Sequence, residues 1–506
     1  MAAAVLVALL AAAAAFLAAL PYESELVHSP LLRNTSLTPD ARPLSPGAGS
    51  DLPYTRTTLY FNSSGTACEA WLYTPVQGPA PHPVVIMAHG LGAQKDLGLH
   101  RYAHPFAAAG MAVLVFDYRT FGGSDGEPRH WVSPQRHVED WRAALAFVKG
   151  GGLGPGYDTE RVSLWGTSFA GGHVLVTAAG LQPGYVRSIV SMVPHLDGVE
   201  TAKSNLRTRG LPAVARLLAA AAHDKLRAAA SLALDRLQSV LAPPAPNATA
   251  PAAAAGSKAA AASAAATDSP AAAVERVLAA LRPAAADAVA RLRSAAAPLL
   301  TPAYVKLLGA PGELALMQLR PAEIAAYFSK HPKEYQGGWR PLVLARVALE
   351  TSSYRPITAL ERLAGVPLLF VSAAEDSLCP AAAVRAAAAA APGGAAEYLE
   401  LPCDHFSAYG GEHLQAASER MVAFLRKHFG MQEAASGPGS GAAPAAEAEA
   451  EAAEAVEAEA EQGQQSGGSG VGEEEEGLAP HGGSEVEAGA AGAAVGGEAP
   501  PEVEVA

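Results

Sequence analysis

The chain has 506 residues; half are hydrophobic, but much of that half is alanine, and only 6% of the chain is aromatic. Its net charge of −13 is a property of the C-terminus: residues 431–506 hold 17 glutamates and no Lys, Arg or Asp, and setting those aside leaves +4 on residues 1–430. A nearly neutral body argues against a nucleic-acid partner. Three cysteines (Cys68, Cys379, Cys403) with no C-x-x-C pattern argue against a disulfide framework or a zinc site; they read as small packing residues, with one disulfide left open.

Residues 1–20, "MAAAVLVALLAAAAAFLAAL", are uncharged and apolar and long enough to span a bilayer as a helix. They suggest a secretory signal or signal-anchor and membrane association, although no basic region precedes them; the alternative is an inert leader on an intracellular protein. The sequons at Asn34, Asn62 and Asn247 matter only on the secretory route. Residues 21–52, with Pro, Ser and Gly and no apolar period, read as a linker. The first part of a globular core, 53–194, opens with β-rich runs at 55–62 and 66–75 around Ser-Ser-Gly, a hairpin signal. Short apolar runs at 83–90, 111–118, 161–166 and 186–193 read as strands, and 99–109, 133–149 and 169–180 as helices between them. The second part, 361–430, continues with strands at 366–373 and 396–402 and helices at 380–391 and 412–428. Alternating strands and helices specify an α/β fold, a mostly parallel sheet covered on both faces, here with an antiparallel N-terminal edge hairpin.

An insertion, 195–360, separates the two parts. It contains a low-complexity Ala/Pro stretch, 242–273, expected as a disordered loop, flanked by helices at 211–240 and 273–298. "YVKLLGAPGELALMQL" and "IAAYFSKHP…WRPLVLARVALE" are expected as amphipathic helices, making the insertion a helical lid over the carboxyl ends of the strands. Residues 431–506 are expected as a disordered acidic tail.

"LWGTSFAGG" (164–172) leads from a strand into a helix. A G-x-S turn there forces the serine into a strained conformation and needs small neighbours; Gly166 meets that need on one side and Ala170, ahead of Gly171 and Gly172, on the other. The turn also puts Ser168 at a helix N-terminus, where an anion is favoured. A nucleophilic serine needs a base and the base an acid, in chain order Ser, acid, His. Asp376 in "LLFVSAAEDSLCP" and His405 in "YLELPCDHFSAYGGE" each follow a strand's carboxyl end, where open α/β sheets place their sites. Glu375 and Asp404 are neighbouring alternatives for the acid, and a helix cap is the plain alternative for Asp376. "HGLG" (89–92) follows an early strand and offers a backbone N–H, so Leu91 and Phe169 are the candidate oxyanion donors. His89 reads as a brace for that loop. Asp117, Arg119 and Asp125 read as ties at the sheet edge, and His195 and Asp197 as packing or capping groups at the start of the insertion.

The run from about 55 to 430 outside the alanine-rich middle resembles an α/β-hydrolase. "VVIMAHGLGAQKDLGLHRYAHPFAAAGMAVLVFDYRTFGGSDGEPR", "EDWRAALAFV", "LWGTSFAGGHVL", "PGELALM" and "DSLCP" are similar to the branch containing dienelactone hydrolase-like, serine aminopeptidase-like and Xaa-Pro dipeptidyl-peptidase-like proteins and fungal polyketide transferases. That resemblance implies Ser168 as nucleophile, Asp376 as acid and His405 as base, with no cofactor and no metal. The expectation is a serine hydrolase that cleaves an ester, its partner a small, hydrophobic ester; peptidase and acyltransferase chemistry would use the same residues. The rival of another class is a hydrolase-fold protein that binds without cleaving. Substrate and oligomeric state are left open at this level.

Overall fold

The computed structural model describes residues 52–241, 270–320, 323, 339–394 and 396–431. The expected leader (1–20), the linker up to 51, residues 242–269 of the low-complexity stretch and the acidic tail lie outside the described residues.

Eight strands form the main sheet: β1 (Tyr54–Ser63), β2 (Thr66–Pro75), β3 (His82–Ala88), β4 (Ala112–Phe116), β5 (Tyr157–Thr167), β6 (Ile189–Met192), β10 (Leu368–Ala373) and β11 (Ala396–Leu401). Their order is β1-β2-β4-β3-β5-β6-β10-β11. β2 is antiparallel to both its neighbours and every other pair is parallel, so β2 alone runs against the rest. β3, β4, β6 and β10 are buried along their whole length. That explains why they read as unbroken apolar runs: strands covered on both faces have no solvent side to alternate toward.

Side-chain alternation sorts the core into two layers. Val85, Met87, Val113, Trp165 and Val371 pack with Tyr102 and Phe106 of α1 (His100–Ala108) and Met421 and Phe424 of α8 (Gly411–Phe429). Ile86, Leu114, Leu164 and Phe370 pack instead with Trp141 and Leu145 of α2 (Pro134–Lys149), Val174 and Leu175 of α3 (Phe169–Ala178) and Val384 of α7 (Ala381–Ala389).

The insertion between β6 and β10 departs from the expected set of helices. α4 (Gly198–Leu241) is broken at Gly210, whose φ of 77° no helix accommodates, and α5 (Pro270–Leu300) starts at a proline three residues before the expected helix, a favoured first position. Residues 304–318, expected as helix, are instead β7 (Tyr304–Gly309) and β8 (Ala315–Gln318), and Leu342–Leu344 is β9, followed by α6 (Val347–Ser352) and a short 3-10 helix at Pro356–Arg362. These three strands form a small sheet in the order β8-β7-β9. The leucine spacing in "YVKLLGAPGELALM" fits a helix, but Gly309, Pro311 and Gly312 break one, and the chain turns there. The expected helix at 324–332 lies outside the described residues. Among the described residues no helix is long and apolar enough to cross a membrane.

One buried carboxylate ties the insertion together. Asp224 of α4, fully buried, accepts from the Arg346 guanidinium and backbone N–H and from the Ala303 N–H at 3.0 Å. Four N–H donors from two segments converge on one carboxylate of a third. Removing one partner of a buried pair leaves the other charge uncompensated and costs about 3–5 kcal/mol. Asp224→Ala should therefore lower the unfolding free energy measured in urea by that order and open residues 300–320 to limited proteolysis before the main sheet unfolds.

Candidate active site

β5 ends at Thr167, α3 begins at Phe169, and Ser168 between them has φ 55° and ψ −118°. A side chain in that region of backbone space carries strain of about 1–3 kcal/mol, which the surroundings must hold in place. The surroundings here are close backbone contacts. A Cβ on Gly166 would lie 2.2 Å from the Ala170 carbonyl oxygen, so only glycine fits where strand and helix meet. A Cβ on Gly90 would lie 3.0 Å from the Ser168 Cβ and 3.4 Å from its Oγ, so the loop after β3 runs directly against the serine. The Ser168 N–H donates to Met192 O at 2.8 Å and its carbonyl accepts from His195 N at 2.9 Å, pinning the turn to the end of β6.

His405 lies past β11. Its Nδ1 is 2.7 Å from Asp376 Oδ2, and both residues are buried. With Nδ1–H committed to the carboxylate, Nε2 is left as the basic nitrogen of the ring. Asp376 is itself held: its Oδ1 accepts from Leu378 N at 2.8 Å and Cys379 N at 2.7 Å. The other two acids are elsewhere. Asp404 is turned onto its own loop, where Oδ1 accepts from Phe406 N and Ser407 N and Oδ2 from the Ser407 hydroxyl; Glu375 is exposed.

Ser168 and His405 line one cavity together with Leu91. Its other walls are mostly apolar and include Leu97, Leu307, Leu308, Met317 and Leu378. Leu307, Leu308 and Met317 come from the small sheet of the insertion. Phe169 occupies the first position of α3, where a backbone N–H has no intrahelical acceptor. Asp376, Cys379 and His405 bring ligand atoms within 4.8 Å of one another. Burial pushes the Cys379 thiol well above its ordinary value, and the other two members of the group are already bonded to each other.

Residues 79–239 match the family described as serine aminopeptidase, S33. The α/β hydrolase GrgF from Penicillium sp. sh18 superimposes with a TM-score of 0.50 at 18% identity, over 74% of this chain and 99% of that one. The chain has the α/β-hydrolase fold. This hydrolase-fold chain is 40% identical over 149 residues to the quorum-quenching protein AidA of Acinetobacter baumannii, covering 29% of this chain and 47% of that protein. It is 36% identical over 120 residues to the thiohydrolase aneE of Aspergillus aculeatus, covering 24% of this chain and 36% of that protein. The matched stretches thus span less than half the length of these relatives.

What holds the Gly90 loop in this fold is a buried ion cluster that pattern reading missed. Lys95, fully buried, donates from Nζ to Asp117 at 2.6 Å and Glu69 at 2.5 Å, and from its backbone N–H to Asp117 at 2.7 Å. Burial alone would raise the Asp117 carboxyl, but Lys95 beside it holds it below its usual value. His89 joins the cluster: Nδ1 is 3.0 Å from Gly90 O, and its ring packs edge-on against Tyr118. It braces the loop and does not line up with Asp376. The partners of Lys95 lie 22 and 26 residues away in sequence, and no local motif marks them. Arg119 is paired with Asp140 and Glu139, again away from the cavity.

Several histidines are sealed under the site. Burial pushes His89, His130 and His195 each down to about 4, and it also depresses His137 and His173, which lie 3.3 Å apart, nitrogen to nitrogen. Each is neutral in the folded protein at neutral pH. An unfolded histidine titrates near 6.5, so above that pH both states are neutral and the stability is intact. As pH falls from about 6.5 toward 4 the unfolded chain gains protons that the folded chain refuses, and stability drops. Urea unfolding between pH 7 and 4.5 should show a loss approaching about 1.4 kcal/mol per pH unit for each such histidine. His130→Gln should make that slope shallower by one histidine's share.

Proposed function

We propose that this α/β-hydrolase is a serine hydrolase acting on an ester or thioester of an apolar acyl group through a covalent acyl-enzyme. The observation that carries this reading is the strained Ser168 turn opening on the same cavity as His405, whose far nitrogen is bonded to Asp376. Ser168 Oγ attacks the carbonyl carbon while His405 Nε2 takes the hydroxyl proton. The electron pair moves onto the carbonyl oxygen, which the Leu91 and Phe169 N–H groups receive. Collapse of that adduct breaks the bond to the leaving group, and His405 returns the proton to the departing oxygen or sulfur. A water molecule, activated by the same imidazole, then releases the acid. Asp376 orients the ring and stabilises the imidazolium.

The apolar walls favour a hydrocarbon acyl chain over a charged peptide terminus as the acyl part, and the name of the thiohydrolase relative supports extending the ester reading to thioesters. We assign residues 53–194 and 361–430 to the core and 195–360 to a lid-like insertion, because Leu307, Leu308 and Met317 lend that insertion's side chains to the cavity wall.

Ser168→Ala should lower kcat on p-nitrophenyl esters by about four orders of magnitude or more with the fold intact, and Asp376→Asn by about two to four. Asp404→Asn should leave kcat within about threefold, since Asp404 serves only its own turn in this scheme. Activity retained by Ser168→Ala, or a larger loss in Asp404→Asn than in Asp376→Asn, contradicts the assignment.

A further inference from the structure

Among the described residues, the cavity holds one charged side chain that the proposed chemistry does not use. Arg101, in the first turn of α1, lines it beside Ser168 and His405 and is half-buried. Among the described residues its guanidinium makes one hydrogen bond, Nη1 to the Tyr409 carbonyl at 3.2 Å. A guanidinium carries five N–H donors, so most of its capacity is unspent. No carboxylate of the described residues pairs with it or lines the cavity. Among the other polar side chains on the walls, Thr167 and Tyr409 bond one another, and His89 holds the Gly90 carbonyl through Nδ1.

Helix stability does not account for this arginine. A cation in the first turn opposes the helix dipole, and the first turn of α1 has no acidic residue to offset it. An uncompensated guanidinium in an otherwise apolar chamber is a recognition element for an anion, because there a charge-assisted pair is stronger than in water.

We infer that Arg101 binds a carboxylate carried by the substrate, so that the site takes anionic amphiphiles: esters or thioesters whose apolar part bears an acid group. The inference rests on the acyl-transfer reading of Ser168 for its chemistry, but the Arg101 subsite is testable apart from it. The carboxylate is held and not consumed; the bond broken is the ester or thioester at Ser168.

The first test is binding. Calorimetric titration of decanoate and decanol into the full chain, below the micellar range, compares an anionic and a neutral ligand of equal length. Decanoate should bind at least about tenfold more tightly to the unmodified protein, with the advantage reduced in Arg101→Lys and lost in Arg101→Met. The second test is the ratio of kcat/KM within matched pairs: the mono-p-nitrophenyl ester of adipic acid against p-nitrophenyl hexanoate, and para-carboxyphenyl hexanoate against phenyl hexanoate. At least one anionic member should be favoured about tenfold, and Arg101→Met should erase that preference.

If decanoate binds no better than decanol, or if Arg101→Met shifts the melting temperature and leaves both comparisons unchanged, Arg101 only ties α1 to the Tyr409 turn and the inference is overturned. Failure of the hydrolase reading looks different: a fluorophosphonate does not attach at Ser168, while decanoate still binds through Arg101.

Discussion

A carbonyl oxygen 2.2 Å from the place where a side chain on Gly166 would begin is the constraint on which the site depends. Strand β5 and helix α3 meet so closely that the turn between them has room for a side chain in one direction, and that side chain is Ser168 at φ 55°. Strain of this kind persists only where the surroundings over-determine it. The N–H to Met192 and the carbonyl from His195 do so from one side, and the backbone of Gly90 does so from the other. The hydroxyl therefore cannot retreat into the turn and is presented to the cavity.

The second requirement is that the Gly90 loop stay where it is, and electrostatics in the core supply this. Lys95 is a buried cation satisfied by Asp117 and Glu69 together, with Trp71 4.8 Å beneath it. Desolvating such a charge is costly unless its hydrogen bonds are all made, which makes the arrangement an all-or-none fixture. Through it the loop is tied to β2 and to the segment after β4, on the far side of the sheet from the insertion's entry. The small sheet closes the other flank: a Cβ on Gly92 would meet Leu307 at 2.8 Å, and Trp339 donates to the Gly92 carbonyl at 2.9 Å. Core and insertion thus hold the same loop from opposite sides, and the apolar cavity is what lies between them.

Much of the frame was readable from the chain because local signals and the fold agree. The central strands β3, β4, β6 and β10 are short, wholly buried apolar runs, and the parallel sheet follows from their alternation with helices. Ser168, Asp376 and His405 were picked out from their places after three strands, and the structure brings Ser168 and His405 to one cavity with Asp376 behind the histidine. Asp376, favoured over Glu375 and Asp404 from the sequence, is the acid the structure brings beside His405; Asp404 is equally close to a strand end, but its loop commits it to Phe406 and Ser407. The reading of 304–318 as helix failed because leucine spacing was weighed above the glycines and the proline that interrupt it. The Asp224–Arg346 pair joins residues 122 apart, and the Lys95 cluster and the cavity face of Arg101 likewise arise only when distant segments meet. Nothing in a local window announces them.

The central claim is that Ser168 is an activated nucleophile, and covalent labelling tests it most directly. The intact protein is treated with a fluorophosphonate and digested, and the adduct is located by mass spectrometry. The account predicts one adduct per chain, on the peptide containing Ser168, that disappears in His405→Ala although the serine is still present. A protein that does not react, or one whose adduct sits on another residue, would contradict it.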